Sequence, residues 1–185
     1  VEQVFAEGVS SAEADFVSRD GTRTPHYFTG VRAELNGKPC LLGVGVDITE
    51  RRHEEERNRL ALSVFTHARE GIVITDAGAN IVDANASYSR ITGYARDELI
   101  GTNPRLLKSG RQSSDFYRQL WGQLDAHGFW EGELWNRRKN GEHFAEHLTI
   151  SAVRDAAGKT LNYVGIVADV TADHDAVLGP HDQLH

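Results

Sequence analysis

Two polar side chains, Asn136 and Glu146, stand among apolar neighbours on predicted β-strands, and they are the first candidates for chemistry in this sequence. Alternate side chains of a strand share a face. One such face holds Trp130, Gly132, Leu134 and Asn136, and another holds Phe144, Glu146, Leu148 and Ile150. A buried polar group without a partner costs about 1–3 kcal/mol, and a buried carboxylate costs more. The pattern predicts that this amide and carboxylate hydrogen-bond a ligand or, alternatively, each other, a water molecule or loop backbone.

Other reactive arrangements are missing from the sequence. There is no glycine-rich phosphate cradle with a Lys-Ser/Thr end, and no Ser-His-Asp or Cys-His pair stands in a catalytic motif. No His/Cys cluster has the spacing of a zinc site. Neighbouring carboxylates such as Asp97 and Glu98 are typical of the first turn of a helix. We therefore expect a chain that is not an enzyme.

Composition narrows the class of partner. The 185 residues are 39% hydrophobic and 25% charged, as in globular proteins, and the net charge is -7. A negative chain does not attract phosphate backbones, so we expect no nucleic acid as partner. No apolar run approaches the roughly 20 residues that span a bilayer. Cys40 is the single cysteine, which suits a reducing compartment, and the expected location is the cytoplasm.

An internal repeat organises the chain. Residues 16–49 and 136–171 each contain three strand signals and end in an Asp-x-Thr tripeptide. Asp20-Gly21 matches Asn140-Gly141, and such pairs favour tight hairpin turns. About 65 residues of further structure precede the second copy, but only about 15 precede the first. The first copy is therefore predicted to be the carboxy-terminal half of a domain.

The segment between the copies is predicted to be a linker helix over residues 50–68. It contains no Gly or Pro, and Leu60, Val64 and Ala68 recur at helical spacing. Its run of charges indicates either a solvated helix face or a two-stranded coiled coil, and the sequence leaves both open.

The complete copy is predicted to contain two strands, several small helices, one longer helix and three further strands. Asn85 is placed as the cap of a short helix, and Ser113 or Ser114 as the start of the longer one, which ends at Gly128. This order predicts an α+β domain whose five-stranded antiparallel sheet is covered by helices on one face.

These motifs together resemble a PAS domain. The resemblance is carried by residues 71–76, by Asn85 through Thr92-Gly93-Tyr94, by residues 98–101 and by the closing Asp169-Val170-Thr171. It implies a PAS fold preceded by the carboxy-terminal half of another. The predicted organisation is a first partial PAS domain (1–49), a linker helix (50–68), a complete PAS domain (69–171) and a tail or next linker (172–185).

Residues 101–110 resemble the flavin-contacting loop of LOV domains, a light-sensing PAS subgroup. Pro104 stands where LOV domains carry the cysteine that forms the photoadduct, so that chemistry is excluded here. The resemblance implies cofactor contacts for Asn103, Arg105 and Asn136, whereas Glu146 and Val167 replace residues that contact flavin in LOV domains.

The stretch from Phe129 to Gly132, followed by residues 136–139, looks closer to the FAD-binding PAS domains of redox sensors. The predicted cofactor site comprises Asn103, Arg105, Lys108, Trp130, Asn136 and Glu146, with core packing as the alternative role of Trp130. FAD is preferred to FMN, and haem ranks last because its ligating histidine is expected on the long helix, where only His127 stands in the last turn.

The functional expectation is a sensor that holds FAD noncovalently and responds to redox state or light. The resemblance implies a homodimer formed through the PAS domain and linker helices, and a covalently attached output domain, either a kinase or a cyclic-dinucleotide enzyme. The alternative is a ligand-free PAS module that sets dimer geometry.

Overall fold

The computed structural model describes the backbone of residues 6–178 and the side chains of residues 6–174. The chain divides into two compact units, with the boundary between Leu62 and Ser63. The predictions for residues 1–5 and 179–185 lie outside the described residues. Within the described part, no helix combines the length and the apolar character that crossing a membrane requires.

The first unit is a three-stranded antiparallel sheet followed by most of a helix, whose last residues, from Ser63 on, belong to the second unit. Strands β1 (Val9–Val17), β2 (Arg23–Leu35) and β3 (Lys38–Asp47) lie in that order, and helix α1 runs over Thr49–His67. The β2–β3 turn is Asn36-Gly37, where both residues have positive φ (52° and 74°). An Asn-Gly pair tolerates this conformation, which is why it makes a two-residue hairpin here.

The second unit contains the five-stranded antiparallel sheet that the sequence predicts. Its strands are β4 (Gly71–Asp76), β5 (Ile81–Ala84), β6 (Phe129–Arg137), β7 (His143–Arg154) and β8 (Thr160–Asp169), in the order β5-β4-β8-β7-β6. Between β5 and β6 lie α2 (Ala86–Thr92), α3 (Arg96–Leu99), a 3₁₀ turn (Pro104–Leu107) and α4 (Ser114–His127); α5 (Thr171–Leu178) follows β8. The predicted α+β fold is confirmed.

Capping residues set the helix boundaries as the sequence indicates. Asn85 accepts a hydrogen bond from the Tyr88 amide at the start of α2, and Ser113 does the same for the Phe116 amide at the start of α4. Gly93 and Gly128 end these helices in the left-handed conformation that glycine adopts without strain.

The two units repeat the same strand pairing. His26 faces Asp47 in the first unit as Glu146 faces Asp169 in the second. In each Asp-x-Thr motif the aspartate Oδ1 accepts bonds from the threonine amide and hydroxyl, at 2.8 and 2.6 Å for Asp47 and at 3.0 and 2.6 Å for Asp169. The repeat seen in the sequence is therefore a structural repeat, and both copies end in a capped helix.

The inner face of the second sheet carries the hydrophobic core. One cluster centres on Tyr88, Leu99 and Val167, and a second on Leu120, Leu124 and Leu134. Leu148 of β7 packs against both clusters. The space between the helices and this face is the setting of the candidate site.

Candidate ligand-binding site

A cavity of about 570 Å³ lies between the inner face of the second sheet and the helices that cover it. Its walls are mainly apolar, and its polar side chains are few. The apolar part of the wall includes Val73, Leu107, Leu120, Leu134, Leu148, Ile150, Gly165 and Val167. This size falls within the range of about 300–1,000 Å³ that is typical of small-molecule sites.

Asn136 and Glu146 meet on the cavity wall. The Asn136 Nδ2 donates to Glu146 Oε1 at 2.9 Å, so the expectation that the pair bond each other holds for one carboxylate oxygen. The second oxygen, Oε2, is buried and has no hydrogen-bond partner among the described residues. Both side chains line the cavity, and the unsatisfied oxygen marks a position where a ligand atom would be stabilised.

Burial changes the acid–base behaviour of Glu146. The side chain is 2% exposed, and loss of solvation raises its pKa from 4.5 to about 7. The bond from Asn136 opposes this shift, while the negative charge of Asp169, directly opposite on β8, adds to it. Near neutral pH the carboxyl therefore exists in both forms, donating from its O–H when protonated and only accepting when ionised.

Two tyrosines on the cavity wall were not anticipated from the sequence. Burial, followed by the charge of Glu146, raises the pKa values of Tyr88 and Tyr117. Tyr88 is 2% exposed and belongs to the core, and Tyr117 lies on α4. Tyr117 stands in the apolar stripe of the predicted helix, but periodicity alone does not show that such a position borders a cavity.

The cavity also has a cationic side, formed by the segment that includes the 3₁₀ turn. Asn103, Arg105 and Lys108 all line it, and Asn103 caps the turn by accepting from the Arg105 amide at 3.0 Å. The Lys108 ammonium lies 4.0 Å from the centre of the Tyr117 ring. Among the described residues, neither Arg105 nor Lys108 forms a salt bridge, so two cations remain available to an anionic ligand group.

Trp130 is not among the residues that line the cavity. Its indole lies over Gly132 on the same strand, where a Cβ added to the glycine would come within 2.8 Å of the ring. The ring also packs edge-to-face against Phe116 and belongs to the cluster around Leu120 and Leu124. The glycine leaves room for the indole to lie flat in the core, which matches the alternative of core packing.

The remaining cavity walls come from residues that the sequence left unassigned. The β4–β5 turn contributes Ala77, Gly78 and Ala79, whereas Trp121 and Tyr163 contribute an edge-to-face aromatic pair 5.5 Å apart. Turn residues carry no periodic signal, so only the folded chain shows that this hairpin reaches the cavity.

The chain is similar in sequence to parts of known proteins. The chain is 31% identical over 115 residues to the nitrogen fixation regulatory protein of Klebsiella oxytoca, covering 62% of this chain and 23% of that protein. It is 32% identical over 108 residues to a blue-light photoreceptor of Listeria monocytogenes, covering 57% and 42% respectively. The chain thus spans less than half the length of these relatives.

A solved light-oxygen-voltage domain, studied with a flavin analogue, superposes with a TM-score of 0.56. It is 28% identical and covers 65% of this chain and 90% of that one. The PAS domain family model matches residues 69–172, which include every strand of the second sheet. The chain therefore belongs to the PAS domain family.

Proposed function

We propose that the second unit is a sensory module that binds FAD noncovalently and passes the state of the flavin to its flanking helices. One observation carries the proposal: a buried carboxylate oxygen, Glu146 Oε2, has no partner among the described residues and lies at a cavity that is also lined by two cations, Arg105 and Lys108, without salt bridges among those residues. An apolar body with a polar edge and an anionic tail matches that combination.

The Asn136–Glu146 pair on the cavity wall suits the polar edge of a flavin ring. That edge presents one N–H donor between carbonyl acceptors. Glu146 Oε2 can accept from the donor when ionised or donate to a carbonyl when protonated, and Asn136 Oδ1 accepts no hydrogen bond from the described residues. A bound flavin would supply electron transfer and absorption of blue light, while these side chains would hold and orient it.

The cationic side suits the phosphates. Arg105 and Lys108 are exposed and lack anionic partners among the described residues, and charge-assisted bonds to phosphate are worth about 1.5–3 kcal/mol each. Two cations match the two phosphates of FAD better than the single phosphate of FMN. The solved relative named for its flavin analogue, together with the resemblance to FAD-binding redox sensors, supports a flavin.

Redox state is the stimulus that the residues favour over a light-driven adduct. Pro104 lines the cavity at the position of the LOV photoadduct cysteine, and the chain's single cysteine, Cys40, belongs to the first unit. The residues that line the cavity therefore include no cysteine thiol that could form an adduct.

The route from the cavity to an output would begin at Glu146. This residue faces Asp169, whose carboxylate caps the start of α5 and pairs with Arg138 at 2.6 Å. We infer that a change in the charge of Glu146 alters this cap, and that α5 and α1 relay signals to an attached kinase or cyclic-dinucleotide output domain.

We also infer that the protein acts as a homodimer through its PAS domain and linker helices. Helix α1, all of which the structure describes, has no buried residue, and its Leu60 and Val64 are exposed. Helices in proteins draw most of their stability from a packed face, which α1 lacks within the described residues. Pairing with the same helix of a second copy would supply that face.

A second candidate is a ligand-free interaction module, and the hydrogen bond between Asn136 and Glu146 favours it. Titration of the apoprotein with FAD separates the two candidates.

Substitution Asn136→Ala should weaken FAD binding about tenfold or more, because the ring edge loses an amide partner. Asn140→Ala, in the β6–β7 turn, is the control. Unchanged affinity and unchanged redox potential in Asn136→Ala would remove Asn136 from the site.

The cationic side can be tested independently of the ring. The double substitution Arg105→Gln/Lys108→Gln should weaken FAD binding by about 100-fold or more, since two charge-assisted phosphate contacts are lost. Riboflavin, which has no phosphate, should bind the variant and the wild type equally. Lys159→Gln removes a charge from the exposed β7–β8 turn and should leave both affinities unchanged. Equal losses for FAD and riboflavin would contradict a phosphate contact.

A further inference from the structure

The segment that borders the cationic side of the cavity continues directly into a clamp on the edge strand β6. Lys108 forms an antiparallel backbone bridge with Asn136. One residue later, the Ser109 hydroxyl donates to the Trp135 carbonyl at 2.6 Å. Gln112 bonds the same residue when its carboxamide nitrogen faces the Trp135 carbonyl and its oxygen faces the Trp135 amide. In this orientation it donates to the carbonyl at 2.8 Å and accepts from the amide at 2.7 Å. These side chains satisfy backbone groups that an edge strand would otherwise expose.

The same segment also holds the Trp135 side chain. The Arg111 guanidinium lies 4.3 Å from the centre of the indole ring, a cation–π contact. The Arg111 amide donates to Ser109 Oγ at 3.2 Å, which keeps this turn closed. Trp135 is thus fixed through both its backbone and its ring by residues 109–112.

The carboxy-terminal helix docks on the same tryptophan. The His174 ring of α5 lies 5.6 Å from the Trp135 ring, and His174 Nε2 is 3.0 Å from Glu133 Oε2 on β6. The start of α5 is tied to β7, because the Ala145 amide donates to Thr171 Oγ1 and the Val170 amide donates to the Ala145 carbonyl. Ala145 is the partner of Trp135 in the β6–β7 ladder.

We propose that residues 105–112 and Trp135 couple occupancy of the cavity to docking of helix α5. A ligand whose phosphate engages Arg105 and Lys108 restrains the 105–112 segment, which places Arg111 and Trp135 to receive His174. Helix α5 has eight residues, and helices this short are marginal in water, so its alternatives are a docked helix and a released chain. This inference rests on the proposed FAD site. It gives the signal a second route from that site to helix α5, which runs through the edge strand β6 and is separate from the route through Asp169.

The coupling is reciprocal. A ligand shifts such an equilibrium only by its difference in affinity for the two states, and the docked helix must strengthen ligand binding by the same factor. Such factors are typically about 5–150-fold. His174→Ala should therefore weaken FAD binding about fivefold or more, although His174 does not line the cavity. His127→Ala, on the exposed last turn of α4, is the matched control.

Hydrogen exchange of amides 172–178, followed by mass spectrometry with and without FAD, tests the coupling in the full chain. FAD should slow exchange there at least threefold in the wild type and in the control Arg118→Ala, which lies on α4 and pairs with Asp115. Arg111→Ala should bind FAD yet lose most of this slowing. Equal slowing in Arg111→Ala, or none in FAD-bound wild type, overturns the coupling and leaves the FAD site intact. Failure of folded wild type to bind FAD overturns both.

Discussion

Replacing Glu146 with glutamine should make the stability of the second unit less sensitive to alkaline pH. The pKa of Glu146 is about 7 in the folded protein against 4.5 in an unfolded chain, so the folded state binds the extra proton. Stability from this group is present below about pH 4.5 and is lost as the pH rises through about 7. At about 1.4 kcal/mol per pH unit, the loss amounts to roughly 3 kcal/mol.

The measurement is urea unfolding of ligand-free wild type and Glu146→Gln between about pH 4 and pH 8. All three tryptophans, Trp121, Trp130 and Trp135, lie in the second unit, so their fluorescence reports its unfolding. As the pH rises across that interval, the free energy of unfolding of Glu146→Gln should increase by roughly 3 kcal/mol relative to that of the wild type. Glu70→Gln, at an exposed carboxylate, should follow the wild type. A difference independent of pH would show that Glu146 is not held in an unfavourable charged state.

Replacing Asn85 with alanine should have the largest effect on the fold. Asn85 Oδ1 accepts from the amides of Ile72 and Tyr88, both at 2.9 Å, and Nδ2 donates to the carbonyls of Phe65 and Glu70 at 3.0 and 3.1 Å. Alanine leaves four backbone groups without this partner, each worth up to about 1–3 kcal/mol when buried. We expect the free energy of unfolding to fall by roughly 3–5 kcal/mol, a large part of the total for a domain.

The near-isosteric Asn85→Asp separates the two halves of this network. It keeps the acceptor for Ile72 and Tyr88 but turns a carboxylate oxygen toward the carbonyls of Phe65 and Glu70 at a site that is 3% exposed, so its loss should equal or exceed that of alanine. Asn80→Ala, in the exposed β4–β5 turn, is the control and should cost about 1 kcal/mol or less. An Asn85→Ala loss within about 1 kcal/mol would mean that Asn85 does not hold the end of α1 to the sheet.

Local signals explain how much of the fold the sequence predicts. Asn85 and Ser113 cap helices where capping chemistry places them, and glycine ends α2 and α4. Strands β1–β3 and strands β6–β8 pair in the same register, because the repeated turns and the Asp-x-Thr ends align. Each of these features depends on neighbours within a few residues, so pattern and propensity suffice to find them.

The site is predictable in part, for the same reason. Strand alternation places Asn136 and Glu146 on the inner face, and the structure confirms that both are buried there. Alternation does not reveal that one amide satisfies only one of two carboxylate oxygens. It also does not place Trp130, whose ring lies over Gly132 because that residue has no side chain.

Long-range contacts account for what the sequence does not predict. The cationic segment reaches the cavity and Trp135 through a backbone bridge between Lys108 and Asn136, which are 28 positions apart. His174 meets Glu133 across 41 positions. Neither pair has a periodic or compositional signature, because tertiary packing decides which segments meet.

The most direct test of the account is the stoichiometry of flavin in the wild-type chain. The folded apoprotein is incubated with excess FAD, passed through gel filtration and measured by visible absorption and by release of FAD on denaturation. We expect a yellow protein that retains about one FAD per chain, as a single buried site requires. A folded protein that elutes colourless would contradict it, leaving the unsatisfied Glu146 oxygen without the guest proposed for it.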